Sequence, residues 1–221
     1  MQTDRPDRAS ETPARIEPTR LDNPPEAIAD LAAELAAASA TLGRALHKGT
    51  GTQLAQLVRI MNTYYSNLIE GHDTRPRDIE RALAGELDKD EGRRHLQIEA
   101  AAHVRVQSEV DRLAAEGVLP EPASADFIRW LHKEFYRDAP SAMLRVLGEG
   151  RDFVMAPGEW RSRPEHDVAV GRHLPPSSAR VEAFMAYFAQ RYDFRGLGKA
   201  GRIITMAAAH HRLNYIHPFL D

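Results

Sequence analysis

The residues best suited to chemistry stand at the end of the chain, in "NYIHPFLD", residues 214–221. Proline disfavours helical backbone in the residue before it, so a helix through this stretch should end at His217 and open into a loop. An imidazole at the mouth of a loop suits general base catalysis, because its unperturbed pKa lies near neutrality. Phe219 could anchor the loop in the core, and in an extended segment Asp221 would lie on the same side as His217. The pattern predicts a base beside a hard-cation site. The structural alternative is ordinary packing of a helix-terminal His–Pro pair.

A second candidate is "YYSNLIEG", residues 64–71, where Ser66 and Glu70 are spaced i, i+4 and share a helical face. Gly71 directly after them is a natural end for the helix. Taken by itself, such a pair of polar residues is more typical of a solvated helix surface.

A third candidate is the irregular segment over residues 148–178, which is rich in Gly and Pro and interrupts the helical pattern. Within it, "HDVAVGRH" predicts a small strand or hairpin around Val168, Ala169, Val170 and Gly171. An unpaired strand edge can bind an extended peptide through main-chain hydrogen bonds. A long connection without function is uncommon in a compact domain, which favours a binding role.

The remaining sequence predicts the helices that must position these residues, and therefore an all-α fold. Apolar residues recur at helical spacing in stretches that begin near Pro25, Thr52, Arg77, Gly92 and Ser124. Ser124 is a plausible N-cap. Two further helices follow the irregular segment, the first with Val181, Phe184, Met185 and Phe188 on one face and the second leading to His217. We expect three regions: a disordered tail over 1–25, N-terminal helices over 26–117, and a C-terminal core over 118–221.

Composition narrows the classes of protein that remain. The chain of 221 residues has 43 % apolar residues, a net charge of −3 and no cysteine. Disulfides, thiolate nucleophiles and cysteine-bound zinc are therefore excluded. No basic patch suggests nucleic-acid binding, and no apolar run is long enough to cross a membrane. The N-terminus lacks the apolar core of a signal peptide, so we expect a cytoplasmic protein.

In this order the three candidate segments resemble the Fic family of nucleotidyl transferases. The family motif reads His-x-Phe-x-(Asp/Glu)-Gly-Asn-Gly-(Arg/Lys)-x-x-Arg, and "HPFLD" matches its first five positions. The stretch "PGEWRSRPEHDVAVGRHLPP" is similar to the family's flap hairpin. The stretch "SNLIEG" is similar to its inhibitory pattern, (Ser/Thr)-x-x-x-Glu-(Gly/Asn). The resemblance covers about residues 50–221 and implies a Fic-type helical bundle with a small β-hairpin flap.

The resemblance also implies a reaction, in which AMP passes from ATP to a Ser, Thr or Tyr hydroxyl of a protein target, itself included. His217 would be the base, Asp221 would bind Mg²⁺, and Phe219 would pin the motif in the core. The flap from Val168 to Gly171 would align the target by strand pairing. ATP and Mg²⁺ are thus the expected ligands, and an oligomer is compatible with the sequence.

The resemblance implies two limits on activity. The second half of the motif, whose backbone would hold phosphate, is not among the 221 residues, so we expect the chain to be a fragment that is inactive alone. In the family, the inhibitory Glu pairs with the last Arg of the motif and prevents productive ATP placement. Ser66, Glu70 and Gly71 would fill this inhibitory role.

Other readings remain open on the sequence. The same fold could remove AMP or transfer another phosphate-containing group. His210, His211, His217 and Asp221 could form the metal site of a hydrolase, although adjacent residues point about 100° apart on a helix. A non-catalytic regulator of the toxin–antitoxin type is the third alternative.

Overall fold

A computed structural model describes residues 11–148 and 151–220. These residues form two compact units. The first comprises 11–39, 120–129, 146–148 and 151–220, and the second comprises 40–119 and 130–145. Neither unit is continuous along the chain, because residues 130–145 group with the N-terminal helices and residues 11–39 group with the C-terminal ones.

The described residues confirm the expected all-α class, with seven α-helices and a single small antiparallel sheet. The α-helices are α1 (Glu26–Ala45), α2 (Lys48–Ile69), α3 (Pro76–Leu83), α4 (Glu91–Ala115), α5 (Ala125–Phe135), α6 (Val181–Arg191) and α7 (Lys199–Ile216). Three of them end in the same way, because Gly71, Gly85 and Gly117 follow α2, α3 and α4 with positive φ angles. Glycine adopts this left-handed backbone without a side-chain penalty.

Two helices begin at side chains that cap their first turns. The hydroxyl of Ser124 accepts a hydrogen bond of 3.3 Å from the amide of Phe127, as the N-cap prediction required. The carboxylate of Asp90 accepts one of 2.9 Å from the amide of Arg93 at the start of α4. Each bond satisfies a first-turn N–H that has no partner within the helix.

The core of the first unit is built around α6 and α7. The apolar face that the spacing predicts for α6 is buried. Its four residues are each no more than 2 % exposed, and they are Val181, Phe184, Met185 and Phe188. Ala209 and Ile216 bring α7 into the same cluster. Burying such side chains contributes roughly 1.5–3 kcal/mol each, so this cluster is the main support of the helix that carries His217.

The core of the second unit is smaller and includes a buried polar group. Ile60, Ile79, Ala100 and Val104 bring α2, α3 and α4 together. Beside them His103 Nδ1 lies 3.0 Å from the Thr63 hydroxyl and 2.8 Å from the Gln107 amide nitrogen. Hydrogen bonding offsets the cost of removing these polar groups from water.

The regular strands lie upstream of the segment that the sequence indicated. Strands β1 (Arg145–Gly148) and β2 (Arg151–Val154) form the sheet. Residues 168–171 instead lead into a tight turn closed by one pair of hydrogen bonds. The alternation of valines in "DVAV" suggested a strand, but the backbone there does not continue a ladder beyond that one pair. The prediction of a small hairpin is confirmed: its regular ladder joins residues 145–148 and 151–154, whereas the stretch around 168–171 contributes only the Val170–His173 pair.

The N-terminal segment also differs from its expected disorder where the structure describes it. Residues 1–10 lie outside the described part, but Pro13–Ile16 form a 3₁₀ turn and Ile16 is completely buried in the core of the first unit. The carboxylate of Glu11 accepts hydrogen bonds of 2.9 and 2.7 Å from the amide and hydroxyl of Ser177. The polar composition of the segment hid this order, because its charged groups are used in tertiary hydrogen bonds.

None of the helices among the described residues combines the length and the apolarity that a membrane span requires.

Candidate active site at the end of α7

The candidate base stands at a sharp change in backbone direction. Helix α7 ends at Ile216, and His217 adopts a left-handed conformation with φ 46° and ψ 68°. Its amide still donates to the carbonyl of Leu213 at 2.9 Å, which closes the last turn of the helix. The left-handed region is uncommon for residues other than glycine, and His217 is the one such residue in the described part of the chain. The prediction that the helix opens into a loop at the His–Pro pair is confirmed.

The carbonyl groups at this helix end are bound by one arginine from the irregular segment. Arg161 Nε donates to the carbonyl of His217 at 2.6 Å, and its Nη2 donates to that of Ile216 at 3.0 Å. The main-chain N–H of Arg161 donates to the carbonyl of Pro218 at 3.0 Å. The last carbonyls of a helix lack intrahelical partners, and here the guanidinium of Arg161 donates hydrogen bonds to them.

The same guanidinium reaches the loop before α6. Arg161 Nη1 donates to the hydroxyl of Ser178 at 3.0 Å, and Nη2 donates to the carbonyl of Pro176 at 2.5 Å. The side chain is only 1 % exposed, and burial lowers the pKa of Arg161 to about 10, an effect that nearby Asp167 and Glu11 oppose. Arginine presents its donors in a planar fork, so one side chain can join several carbonyls at once.

A histidine binds the preceding carbonyl of α7. His173 Nε2 lies 2.8 Å from the carbonyl oxygen of Tyr215, and the two rings are 4.4 Å apart. With the contacts of Arg161, the four consecutive carbonyls from 215 to 218 all have partners within residues 161–173. Sequence reasoning missed both Arg161 and His173, because charged and polar residues in a Gly/Pro-rich segment give no local sign of burial.

Phe219 lies where an anchor is expected. Its ring is 4.7 Å from that of Trp160, and both pack against the core of the first unit. Trp160 in turn lies 5.9 Å from the guanidinium carbon of Arg129 on α5. The aromatic contact therefore fixes the loop two residues beyond His217 to the same segment that provides Arg161.

The segment expected to dock a target has a defined backbone but little regular structure. Val170 and His173 exchange hydrogen bonds of 3.0 and 2.9 Å, with Gly171 in the turn at φ 59°. Val168 is half-buried, whereas the next three residues are exposed. Ala169 directly precedes the residue whose main-chain groups close this turn.

The expected inhibitory residues all stand at the C-terminal end of α2, in the second unit. Glu70 is the residue that caps the helix, and its amide bonds to the carbonyl of Ser66 at 3.2 Å. Both side chains are exposed, and Gly71 has φ 83°. The end of α2 thus has the backbone conformation that the pattern predicts. It belongs to the second unit, and His217 belongs to the first.

The expected metal ligand, Asp221, lies outside the described residues. Within residues 11–148 and 151–220, no three histidine or carboxylate side chains are grouped so that they could bind a metal ion. His210 and His211, both exposed on α7, therefore form no such group with the described His217.

One of three comparisons with known proteins found a match, and it covers the C-terminal part of the chain. No curated protein sequence and no solved structure matches the chain. The Fic/DOC family model matches residues 122–221, which include α5, the β1–β2 hairpin, Arg161 and the end of α7. Over residues 122–221 the chain is therefore similar to the Fic/DOC family.

Proposed function

We propose that the protein is an autoinhibited protein adenylyl transferase, which moves AMP from ATP to a Ser, Thr or Tyr hydroxyl of a protein target. The observation that supports this most is the geometry of His217 within the region that is similar to the Fic/DOC family. Its left-handed backbone places it just past α7, where two successive carbonyls are bound by one buried arginine. A base held on fixed backbone needs little reorganisation when it reacts.

In the proposed reaction the target hydroxyl oxygen attacks the α-phosphorus of ATP, and its proton passes to the imidazole of His217. The bond between the α-phosphorus and the bridging oxygen breaks, so that pyrophosphate leaves and AMP stays on the target. Mg²⁺ would supply charge neutralisation on the phosphates. The carboxylate of Asp221 is a hard oxygen donor of the type that Mg²⁺ binds, and it is the ligand that we propose.

The target would dock beside the exposed turn around Ala169. Val170 already uses its N–H and its carbonyl with His173, so it offers nothing to a second strand. Ala169, the exposed residue just before this pair, is the one that we propose pairs with an extended target segment. Such pairing fixes the hydroxyl for in-line attack while accepting many target sequences, because it uses main-chain groups.

Inhibition would depend on Glu70 at the end of α2. Its exposed carboxylate is available to pair with an arginine that would otherwise bind ATP phosphate. Ser66, one turn earlier, would help to seat this helix end, and Gly71 supplies the left-handed residue that ends the helix. Removal of the carboxylate should therefore release activity and leave the fold unchanged.

The test uses the protein expressed from its complete reading frame, incubated with Mg²⁺ and ATP labelled in the α-phosphate. Glu70→Gly should increase incorporation of label into protein, and His217→Ala in that background should abolish it. Glu116→Gly is the matched control, because Glu116 also caps a helix and also precedes a glycine of positive φ. His210→Ala, on the exposed side of α7, is the control for loss of a histidine.

Equal labelling of the Glu70→Gly and Glu116→Gly proteins would refute the inhibitory role. Labelling that survives His217→Ala would refute the proposed base. Mass spectrometry of the modified protein identifies the group transferred, and any group other than AMP would overturn the adenylyl assignment.

A further inference from the structure

We propose that Arg161 is the positioning residue for His217, a role that rests on the proposed function of that histidine. Arg161 Nε lies 2.6 Å from the carbonyl oxygen of His217, so it binds the backbone of the same residue that carries the base. Its main-chain N–H bonds to Pro218, the next residue. The arginine therefore contacts His217 and the residues on both sides of it, since Ile216 is also an acceptor.

Burial of the Arg161 guanidinium carries a desolvation cost, so filling space alone does not explain an arginine at this position. Arg161 is 1 % exposed, and burial of its charge lowers its pKa, which measures the cost of desolvation. The acceptors that face it at His217, Ile216 and Pro176 are main-chain carbonyls. An apolar side chain would avoid this cost but would leave these carbonyls without their hydrogen-bond donor.

The contacts of Arg161 differ from those of the other side chains at the end of α7. His173 and Arg15 each contact Tyr215. Arg161 instead joins the helix end to Pro176 and Ser178, and Ser178 begins the short 3₁₀ helix (Ser178–Arg180) that leads into α6. Loss of this link would let His217 shift relative to the core while α7 itself stays helical.

A small shift of a base has a large effect on rate. A misplacement of about 1 Å reduces the rate about 100-fold, because proton transfer requires reacting atoms within hydrogen-bond distance. Arg161 is buried away from solvent and holds the loop from inside the fold. Its loss should therefore lower kcat and leave the KM for ATP unchanged, since His217 acts on the target hydroxyl.

The test variant is Arg161→Lys in the Glu70→Gly background of the complete protein. Lysine keeps the charge but places its donors on one nitrogen, which cannot reach the oxygens at 176, 178, 216 and 217 together. We expect kcat to fall about 100-fold with an unchanged KM for ATP. Arg163→Lys is the matched control, because Arg163 is two residues away and its side chain is 71 % exposed; it should leave both constants unchanged.

A milder pair of variants applies the same test if Arg161→Lys does not fold. Ser178→Ala removes one acceptor of Arg161, whereas Ser177→Ala removes a hydroxyl that binds Glu11. We expect Ser178→Ala to lower kcat and Ser177→Ala to leave it unchanged. A raised KM with unchanged kcat, or equal effects of the two serines, would overturn the positioning role.

Amide hydrogen exchange separates failure of this inference from failure of the proposed function, because it needs no activity. The variant measured is Arg161→Lys, or Ser178→Ala if Arg161→Lys does not fold. The amides of Tyr215, Ile216 and His217 should exchange faster than in the wild type, whereas the amides of α6 should keep wild-type protection. Unchanged exchange at 215–217 would overturn the inference. Faster exchange throughout the first unit would show a general loss of stability and would also overturn it.

Discussion

Arg15 Nε donates a hydrogen bond of 2.7 Å to the hydroxyl of Tyr215, although 200 residues separate them in the chain. The same guanidinium donates to the carbonyl of Leu174 at 2.6 Å and lies 5.4 Å from the centre of the Tyr215 ring. The N-terminal segment thus contacts α7 two residues before His217. This relationship makes the segment part of the domain that carries the candidate base.

Ile16→Ala should destabilise the protein substantially. Ile16 is fully buried in the core of the first unit, and truncation of a buried isoleucine typically costs about 2–5 kcal/mol. The free energy of unfolding from urea titration measures the effect. Leu21→Ala is the control from the same segment, because Leu21 is 51 % exposed and should change stability little. Equal stability of the Ile16 variant and the wild type would indicate a detached tail.

Glu17 should make stability depend on pH in the acid range. Hydrogen bonds from Tyr187 and Arg191 lower the pKa of Glu17 from 4.5 to about 2. As the pH falls, the unfolded chain binds this proton first, so the stabilisation is present above pH 4.5 and is lost as the pH falls towards 2. The difference in unfolding free energy between wild type and Glu17→Gln should therefore shrink over this window. Glu34→Gln, at an exposed position on α1, should show a constant difference.

His103 should add a second acid sensitivity near neutrality. Burial lowers the pKa of His103 below its ordinary 6.5, so the unfolded state is protonated first as the pH falls. Stability from the neutral imidazole is therefore present above about pH 6.5 and decreases below it. His103→Gln, which does not titrate, should flatten the dependence of the urea midpoint on pH. His210→Gln should leave the dependence as in the wild type, and the same slope in both variants would contradict the prediction.

Gly71→Ala should lower the free energy of unfolding by about 1–2 kcal/mol, because a side chain disfavours left-handed backbone. Gly71 has φ 83°, and a Cβ there would meet nothing within 4 Å, so the cost is conformational. Gly71→Asn should be milder, since asparagine tolerates this conformation. Gly51→Ala, inside α2 and also without close neighbours, should instead raise stability by about 0.5–1 kcal/mol. A loss of stability in both alanine variants would refute this explanation.

Ala169→Pro tests the proposed docking of the target. Proline removes the N–H of Ala169 that we propose pairs with the target, and it leaves the hydrogen bonds between Val170 and His173 in place. Transfer of AMP to protein should fall, while binding of ATP, measured by thermal shift with Mg²⁺, should not change. Ala169→Ser keeps the N–H and should behave as the wild type. Full transfer by the proline variant would show that the target docks elsewhere.

Local patterns in the sequence were sufficient for the helices and their ends. Apolar spacing predicted the buried face of α6, Ser124 predicted a cap, and Gly71 predicted a helix end. Pro218 predicted the end of α7 at His217. Each of these features depends on residues within a few positions of one another, so they can be read without knowledge of the tertiary structure.

The residues that support His217 and the order of the N-terminal segment depend on tertiary contacts. Arg161 lies 56 positions from the carbonyl of His217 that it binds, and Arg15 lies 200 positions from Tyr215. Local sequence patterns therefore indicated the class of fold, the family resemblance and the candidate base. The partners of that base followed from the packing of distant segments, because a charged residue leaves water only where several oxygens converge to replace its hydration.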